Sequence, residues 1–148
     1  MTRVNYEELL AFAGRNPMLS LAFAGLTVAI IVTEIKHLFR GYKSLKPAEL
    51  TRLINAGEAV VIDLSASADF EKGHIVGSRN VQPAQLTPAH KLLATARQSP
   101  VVLLCRSGNT AATAAKALKK AGFEQVSVLD GGIAAWQAAD LPLVKGRG

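Results

Sequence analysis

The sequence is poor in the residues that build disulfide frameworks, metal clusters and base-stacking surfaces. It holds one cysteine, three histidines and only 5% aromatic residues. A single cysteine excludes an intramolecular disulfide and a cysteine-rich zinc site, and a lone thiol is compatible with a reducing compartment. His37 and His90 have no companions at metal-ligand spacing, so we expect no metal and no cofactor. The few aromatics and the absence of a basic stripe argue against nucleic-acid binding.

Charged residues are also scarce, at 19% of the chain, whereas hydrophobic residues make up 49% and the mean hydropathy is +0.23. This balance excludes a disordered or fibrous chain and indicates that an apolar segment is present. The net charge is +6, and all of the excess lies after residue 33 because two basic and two acidic residues cancel before it. Such an excess fits an anionic substrate, a membrane surface or nucleic acid.

The apolar segment is the run 16–33, in which no residue is charged. As a helix it would be roughly 27 Å long, close to the thickness of a bilayer core. A buried core helix of this length would carry a polar face, and a signal peptide would end in small residues rather than in Glu34, Lys36 and His37. We therefore expect a retained transmembrane helix over 16–36, after a short segment 1–15. Residues 5–13 have the spacing of an amphipathic interfacial helix, with a frayed terminus as the equal alternative.

Basic residues are distributed unequally about this helix. Five of them follow it within a short distance and two precede it: Lys36, Arg40, Lys43, Lys46 and Arg52 against Arg3 and Arg15. The positive-inside rule then predicts a single-pass protein with its N-terminus outside. The linker 37–43 and the remaining domain 44–148 would lie in the cytoplasm.

The region after the linker alternates helix and strand signals. Continuous apolar runs such as 101–104 are typical of strands buried on both faces. Such strands alternating with helices through short links predict an α/β fold with a parallel sheet covered on both faces. The strands are expected at 59–64, near 80–81, at 101–104 and at 126–129, and the helices at 46–57, 88–96 and 110–121 and after Gly131-Gly132.

A cysteine stands where the strand 101–104 ends and the next helix begins, in the run Cys105-Arg106-Ser107-Gly108-Asn109-Thr110. Ligands of parallel sheets bind at the carboxyl ends of strands. The N–H groups and dipole of a helix N-terminus favour a thiolate, and successive loop amides can point at one anion. The alternative is a buried structural cysteine. The arginine, glycine and helix start favour an activated thiolate in an anion-binding cradle.

Several motifs, in the same order, resemble those of the rhodanese-like domain family of sulfurtransferases. The resemblance covers about 44–142 and rests on four segments: Val61-Ile62-Asp63-Leu64, the acidic–aromatic–Gly-His-Ile segment 69–81, the six-residue loop 105–110, and the closing stretch with Gly131-Gly132 and Trp136. With its single N-terminal anchor, the layout is similar to small rhodanese proteins of the bacterial inner membrane. The resemblance thus implies an inner-membrane location.

The resemblance implies a five-stranded, mostly parallel sheet and a sulfur-transfer cycle. Cys105 would take a sulfane sulfur from a donor such as thiosulfate and become a persulfide, and a thiol acceptor would then remove it. The amides of Arg106, Ser107, Gly108, Asn109 and Thr110 would cradle the persulfide. Arg106 would also attract the anionic donor, and the hydroxyls of Ser107 and Thr110 would add hydrogen bonds.

Two further residues are interpreted as structural support for the loops. Asp63 ends a strand, where it would hold loop amides or, alternatively, face the pocket. His74 lies in the Gly-His-Ile segment and would pin that loop by a hydrogen bond, with a catalytic role as the less favoured reading.

The sequence departs from the family pattern at two positions and leaves an alternative function open. Ser65 stands where many members carry arginine, and Val76 where proline is frequent, so the native donor is open. A phosphatase of this fold would need an arginine at Ala111, which argues against that activity. A catalytically weak adaptor that docks a partner at the membrane remains the alternative. The partners expected are a sulfane sulfur donor, a small thiol or protein acceptor, membrane lipid and a protein in the membrane.

Overall fold

The computed structural model describes residues 5–147, so Arg3 and the start of the predicted segment 1–15 lie outside the described residues, as does Gly148. The chain divides into two compact units, one up to Arg40 and one from Gly41 onward. Each unit is built from its own elements.

The first unit is a pair of helices, α1 (Tyr6–Arg15) and α2 (Pro17–Leu38). Pro17 occupies the first helical position of α2, where its missing N–H is tolerated. The Ser20 hydroxyl donates to the carbonyls of Ala13 and Asn16, both at 3.1 Å, and so ties the two helices together. Within the described residues, α2 is the one helix long and apolar enough to cross a membrane, with a mean hydropathy of 2.1 and no buried residues.

The second unit contains a five-stranded sheet in the order β1-β5-β4-β2-β3, and every strand pairing in it is parallel. Its strands are β1 (Lys43–Leu45), β2 (Val60–Asp63), β3 (Arg79–Asn80), β4 (Val101–Leu104) and β5 (Val126–Leu129). Its helices are α3 (Pro47–Ala56), α4 (Ser67–Lys72), α5 (Asn109–Lys120) and α6 (Gly132–Ala138).

Successive residues of each strand point to opposite faces of the sheet, and both faces are covered. On one face, Ile62, Leu103 and Cys105 pack with Ala111 and Ala115 of α5. On the other face, Val102 and Leu104 pack with Leu50 of α3 and with Ile133 and Trp136 of α6. This two-sided burial explains why the strands consist of continuous apolar runs.

The predicted α/β fold with a parallel five-stranded sheet is therefore confirmed, but two local features differ from expectation. The helix predicted over 88–96 is wrong. The N–H groups of His90, Leu93 and Ala96 bond to carbonyls three residues earlier, and Nδ1 of His90 accepts the Leu92 N–H at 3.3 Å. Because the His90 ring competes with backbone carbonyls for this N–H, the segment forms consecutive turns instead of a helix. The strand β1 lies partly within the predicted linker 37–43 and was not anticipated.

Candidate active site

Cys105 lies directly after β4, at the carboxyl edge of the sheet, and its side chain faces α5. The residue is only 4% exposed. The backbone N–H of Gly108 donates a hydrogen bond to its sulfur, with 3.1 Å between the nitrogen and Sγ. Because α5 begins at Asn109, this N–H belongs to the cap of the helix, where the positive end of the dipole lies. The sulfur is therefore held at a position that stabilises negative charge.

Gly108 allows the chain to turn from the sulfur into the helix. Its φ is +96°, in the left-handed region that side chains rarely adopt. Its carbonyl accepts the N–H of Ala112 at 2.9 Å, so the helix begins immediately. Among the amides of 106–110, that of Gly108 is the one that donates to the thiol within the described part of the chain.

The loop is fixed from its other side by the start of α6. The carbonyl of Cys105 accepts the N–H of Ile133 at 3.0 Å, and that of Arg106 accepts the N–H of Ala134 at 3.2 Å. This close approach requires glycine at 132. A Cβ there would clash with the Cys105 carbonyl and lie 2.7 Å from the carbonyl oxygen of Arg106. Sequence reasoning used Gly132 only as part of a motif and missed this contact, which depends on tertiary packing.

Arg106 extends towards Asp69 on α4. Its Nη1 lies 3.6 Å from Oδ2 of Asp69, and Nζ of Lys72 lies 3.8 Å from Oδ1 of the same carboxylate. The side chains of Arg106 and Lys72 are about 80% exposed, so these ion pairs are weak. One carboxylate thus lies within ion-pair distance of two cations beside the loop. Sequence reasoning singled out Arg106 but not its partners.

Ser107, Asn109 and Thr110, the remaining residues of the predicted cradle, are exposed at the surface of the loop and at the start of α5. Asn109 and Thr110 line a separate shallow groove with Pro83 and Leu86. The structure therefore brings the backbone N–H of Gly108 to the sulfur but leaves these three side chains exposed.

Asp63 is completely buried at the end of β2 and holds the following turn. Its Oδ1 accepts the N–H of Ser65 at 2.8 Å. Its Oδ2 and the Ser65 hydroxyl have no hydrogen-bond partner within the described residues. Burial raises the pKa of the Asp63 carboxyl, against weaker opposing contributions from Ser65 and His74. The side-chain amide of Asn80 donates to the carbonyls of Asp63 and Ser65, at 3.1 and 2.9 Å, and completes the turn.

His74 is buried and held by three contacts. Its Nδ1 donates to the carbonyl of Phe70 at 2.9 Å, and its ring stacks on that of Phe70 with 3.7 Å between centroids. Its backbone exchanges hydrogen bonds with Val144 at 2.9 and 2.8 Å. These contacts fasten the end of α4 to the C-terminal segment, and none of them involves Cys105.

A cleft of about 330 Å³ opens beside the cysteine loop. Its walls combine an apolar side with a polar rim. The residues that line it include Ser65, Asp69, Lys72, Arg106, Ile133, Ala134, Gln137 and Leu143. Arg106, Ile133 and Ala134 belong both to this cleft and to the contacts of the loop, so the cleft adjoins the loop, although Cys105 itself does not line it.

Comparison with known proteins agrees with this architecture. The model of the Rhodanese-like domain family matches residues 46–139. A relative named Uncharacterized protein YibN, from Escherichia coli (strain K12), is 43% identical over 143 residues, which cover 95% of this chain and 99% of the relative. Thiosulfate sulfurtransferase GlpE of Pseudoalteromonas translucida is 31% identical over 98 residues, which cover 66% of this chain and 91% of that protein.

Comparison with solved structures points to the same family. A thiosulfate sulfurtransferase from Pseudomonas aeruginosa is 34% identical, with a TM-score of 0.64, over 72% of this chain and 20% of that one. A rhodanese-related protein from Thermoplasma volcanium is 27% identical, with a TM-score of 0.59, over 70% and 98% of the two chains. Since the family model matches more than half of the sequence and the five-stranded sheet carries the cysteine loop at its carboxyl edge, this chain belongs to the rhodanese-like domain family.

Proposed function

We propose that this protein is a membrane-anchored sulfurtransferase that carries a sulfane sulfur on Cys105. The observation that supports this most directly is the hydrogen bond from the Gly108 N–H to Sγ of Cys105 at the start of α5. A helix N-terminus favours the thiolate form of a cysteine, which is the reactive form in sulfur chemistry. Relatives that carry the name thiosulfate sulfurtransferase support the same class of reaction.

In the first step the Cys105 thiolate attacks the outer sulfur of a donor. With thiosulfate, a bond forms between Sγ and the outer sulfur, and the sulfur–sulfur bond of the donor breaks. The bonding electron pair leaves with sulfite, and the charge is conserved in the persulfide anion on Cys105. A persulfide donor reacts in the same way and releases its thiolate.

In the second step the persulfide anion takes up a proton from water, and an acceptor thiolate attacks its outer sulfur. The new bond joins the acceptor to that sulfur, and the electron pair of the broken bond returns to Sγ of Cys105. The amides of Arg106, Ser107, Gly108, Asn109 and Thr110 would surround the persulfide during this cycle. The Arg106 guanidinium, exposed beside the loop, would attract anionic donors.

Sulfur loading tests the proposal directly. The full-length protein in detergent micelles is incubated with thiosulfate and, in a separate experiment, with inorganic polysulfide. Its intact mass is recorded after each incubation. We expect the mass to rise by one sulfur atom, and Cys105→Ser to show no increase. If neither donor loads the wild-type chain, the proposed activity is wrong.

We further propose that α2 anchors the protein in the inner membrane, with the N-terminus outside and the rhodanese-like domain in the cytoplasm. The support is the length and hydropathy of α2 and the cations in its last turn and after it, Lys36, Arg40 and Lys43, against Arg15 before it. Lipid is then a permanent partner of the chain, and a membrane protein can be a second one.

One observation favours the alternative function, an adaptor that docks a partner without turnover. Cys105 is only 4% exposed, and it is absent from the lining of the adjoining cleft. The Cys105→Ser variant separates the two functions in the cell. An adaptor retains its cellular role with serine at this position, whereas a sulfurtransferase loses it.

A further inference from the structure

A second groove lies beside β3, the outermost strand on one side of the sheet. Its volume is about 450 Å³, within the range for organic ligands, about 300–1,000 Å³. The residues that line it include Arg79, Val81, His90, Lys91, Leu92 and Arg147. None of its lining residues also lines the cleft beside the cysteine loop. The groove is therefore a separate feature, which the proposed sulfur chemistry does not use.

Three cations converge on this groove from segments that are distant in the sequence. Arg79 belongs to β3, Lys91 to the turns at 88–96, and Arg147 to the C-terminal segment. None of the lining residues in the described part of the chain is acidic. Like charges that are brought together repel one another. A groove lined by charges of one sign concentrates ions of the opposite sign, so this one suits an anion.

The cations keep donor groups for a ligand. No ion pair of Arg79 or Lys91 is found within residues 5–147. Arg147 donates from Nε to Oε1 of Glu71 at 3.0 Å, and this contact leaves its two Nη groups. Nδ1 of His90 accepts a backbone N–H, so in the neutral ring the proton lies on Nε2, which is a donor. Glu71 offsets one of the three cations, and the groove remains positive.

The types of donor favour phosphate over other anions. A guanidinium group can pair with two phosphate oxygens at once, and an ammonium group adds a point charge. A phosphate monoester carries between one and two negative charges near neutral pH, more than a carboxylate does, and so matches several cations. The apolar side of the groove is formed by Val81, which is buried, and Leu92, which is half-buried. This side can contact the carbon part of a phosphate ester.

We infer that the groove beside β3 binds an anion that carries a phosphate monoester or a diphosphate. The phosphate oxygens pair with Arg79, Lys91 and the Nη groups of Arg147. The same chemistry is offered by soluble phosphate compounds and by the headgroup of a phospholipid, and the test below separates these two sources. The site is independent of the proposed sulfurtransferase activity, because Cys105 takes no part in it.

Protection of Lys91 from acetylation measures whether the groove is occupied. Full-length protein in micelles of an uncharged detergent is treated with acetic anhydride, with and without inorganic pyrophosphate. Peptide mass spectrometry then gives the acetylation rate of each lysine. At a pyrophosphate concentration ten times the dissociation constant, we expect Lys91 to react about tenfold more slowly. Lys116, an exposed lysine of α5, should react at an unchanged rate.

Sulfate at the same ionic strength tests selectivity. If it protects Lys91 as well as pyrophosphate does, the groove does not select phosphate and the inference is wrong.

Nanodiscs test the lipid source with the same measurement. The protein is inserted into discs of phosphatidylcholine with or without phosphatidic acid, whose headgroup is a phosphate monoester. Protection by phosphatidic acid but not by pyrophosphate supports the site and assigns a headgroup as its ligand. Protection by pyrophosphate supports the site and assigns a soluble compound. Protection by neither would overturn the inference.

Substitutions identify the residues that hold the anion. In Arg79→Gln we expect the ligand concentration that half-protects Lys91 to rise about tenfold, because a charged hydrogen bond is lost. Arg147→Gln should have the same direction of effect and changes a residue outside the sheet. Arg52→Gln is the matched control, since Arg52 is an exposed arginine of α3 outside the lining.

If Arg79→Gln and Arg147→Gln both bind as tightly as Arg52→Gln, the assignment of the site is wrong. Cys105→Ser should keep full protection of Lys91 while it fails to load sulfur. The phosphate site and the sulfurtransferase activity can therefore be refuted separately.

Discussion

The backbone N–H of Gly108 donates to Sγ of Cys105 across 3.1 Å, and it does so from the residue that caps α5. Gly108 then adopts a left-handed conformation, which turns the chain from this N–H into α5. Cys105 is thereby bound to a helix N-terminus before any substrate arrives. This preorganisation means that stabilising the thiolate requires no rearrangement of the loop.

Gly108→Ala should lower both the free energy of unfolding and the rate of sulfur loading. A φ of +96° costs a residue with a side chain about 1–2 kcal/mol. The nearest atom to the new Cβ is 3.6 Å away, so strain rather than collision is the cause. Gly57→Ala is a matched control, because Gly57 also has a positive φ, +68°, with nothing near its Cβ position. Urea unfolding followed by fluorescence of the single tryptophan, Trp136, measures stability.

We expect the Gly108 and Gly57 variants to lose similar free energies of unfolding, whereas only the Gly108 variant loads sulfur more slowly. Equal loading rates would show that the left-handed turn at Gly108 is not required for the chemistry.

Gly132→Ala should destabilise the domain more than Gly57→Ala does. The Cβ would collide with the carbonyl groups of Cys105 and Arg106, which are backbone and cannot swing aside. The collision would also break the hydrogen bonds from Ile133 and Ala134. We expect a loss of about 3 kcal/mol or more in the free energy of unfolding. A loss no larger than that of Gly57→Ala would contradict the close approach.

Asp63→Asn should alter how stability depends on pH. Burial raises the pKa of Asp63 in the folded protein above its ordinary value of 3.8. The unfolded chain therefore ionises first as the pH rises, and wild-type stability falls until the folded carboxyl ionises too. Asparagine can still accept the Ser65 N–H but does not titrate.

Urea unfolding at a series of pH values from 4 upwards checks this prediction. The stability of the wild type relative to Asp63→Asn should decline with rising pH and then become constant. A relative stability that rises with pH would mean that the buried carboxyl is stabilised as an anion.

Fusions to the C-terminus test the proposed orientation. Green fluorescent protein should fluoresce and alkaline phosphatase should be inactive, because the domain after α2 would lie in the cytoplasm. Replacing Lys36, Arg40 and Lys43 by glutamine should raise phosphatase activity, since these cations set the orientation. High phosphatase activity of the unaltered chain would reverse the assignment.

The strands of the sheet could be predicted because their continuous apolar runs report burial on both faces. The turns at 88–96 could not, since Pro88 and the apolar spacing resemble a helix start and the side chain of His90 decides the outcome locally. β1 was missed because only Leu45 of its three residues is buried. In the site, the loop 105–110 could be predicted because its own sequence is a motif. The ion pairs of Asp69 and the close approach of Gly132 to the loop carbonyls could not, because they join segments that are distant in the sequence.

The solitary, buried state of Cys105 has a kinetic consequence for the proposed chemistry. The chain contains no second cysteine, so no resolving thiol in the same molecule can discharge a loaded sulfur as a disulfide. In the proposed chemistry the sulfur can therefore leave Cys105 only by transfer to another molecule, and the rate of transfer is proportional to the acceptor concentration. Between encounters the protein acts as a reservoir whose filled fraction reports the balance of donor and acceptor around it.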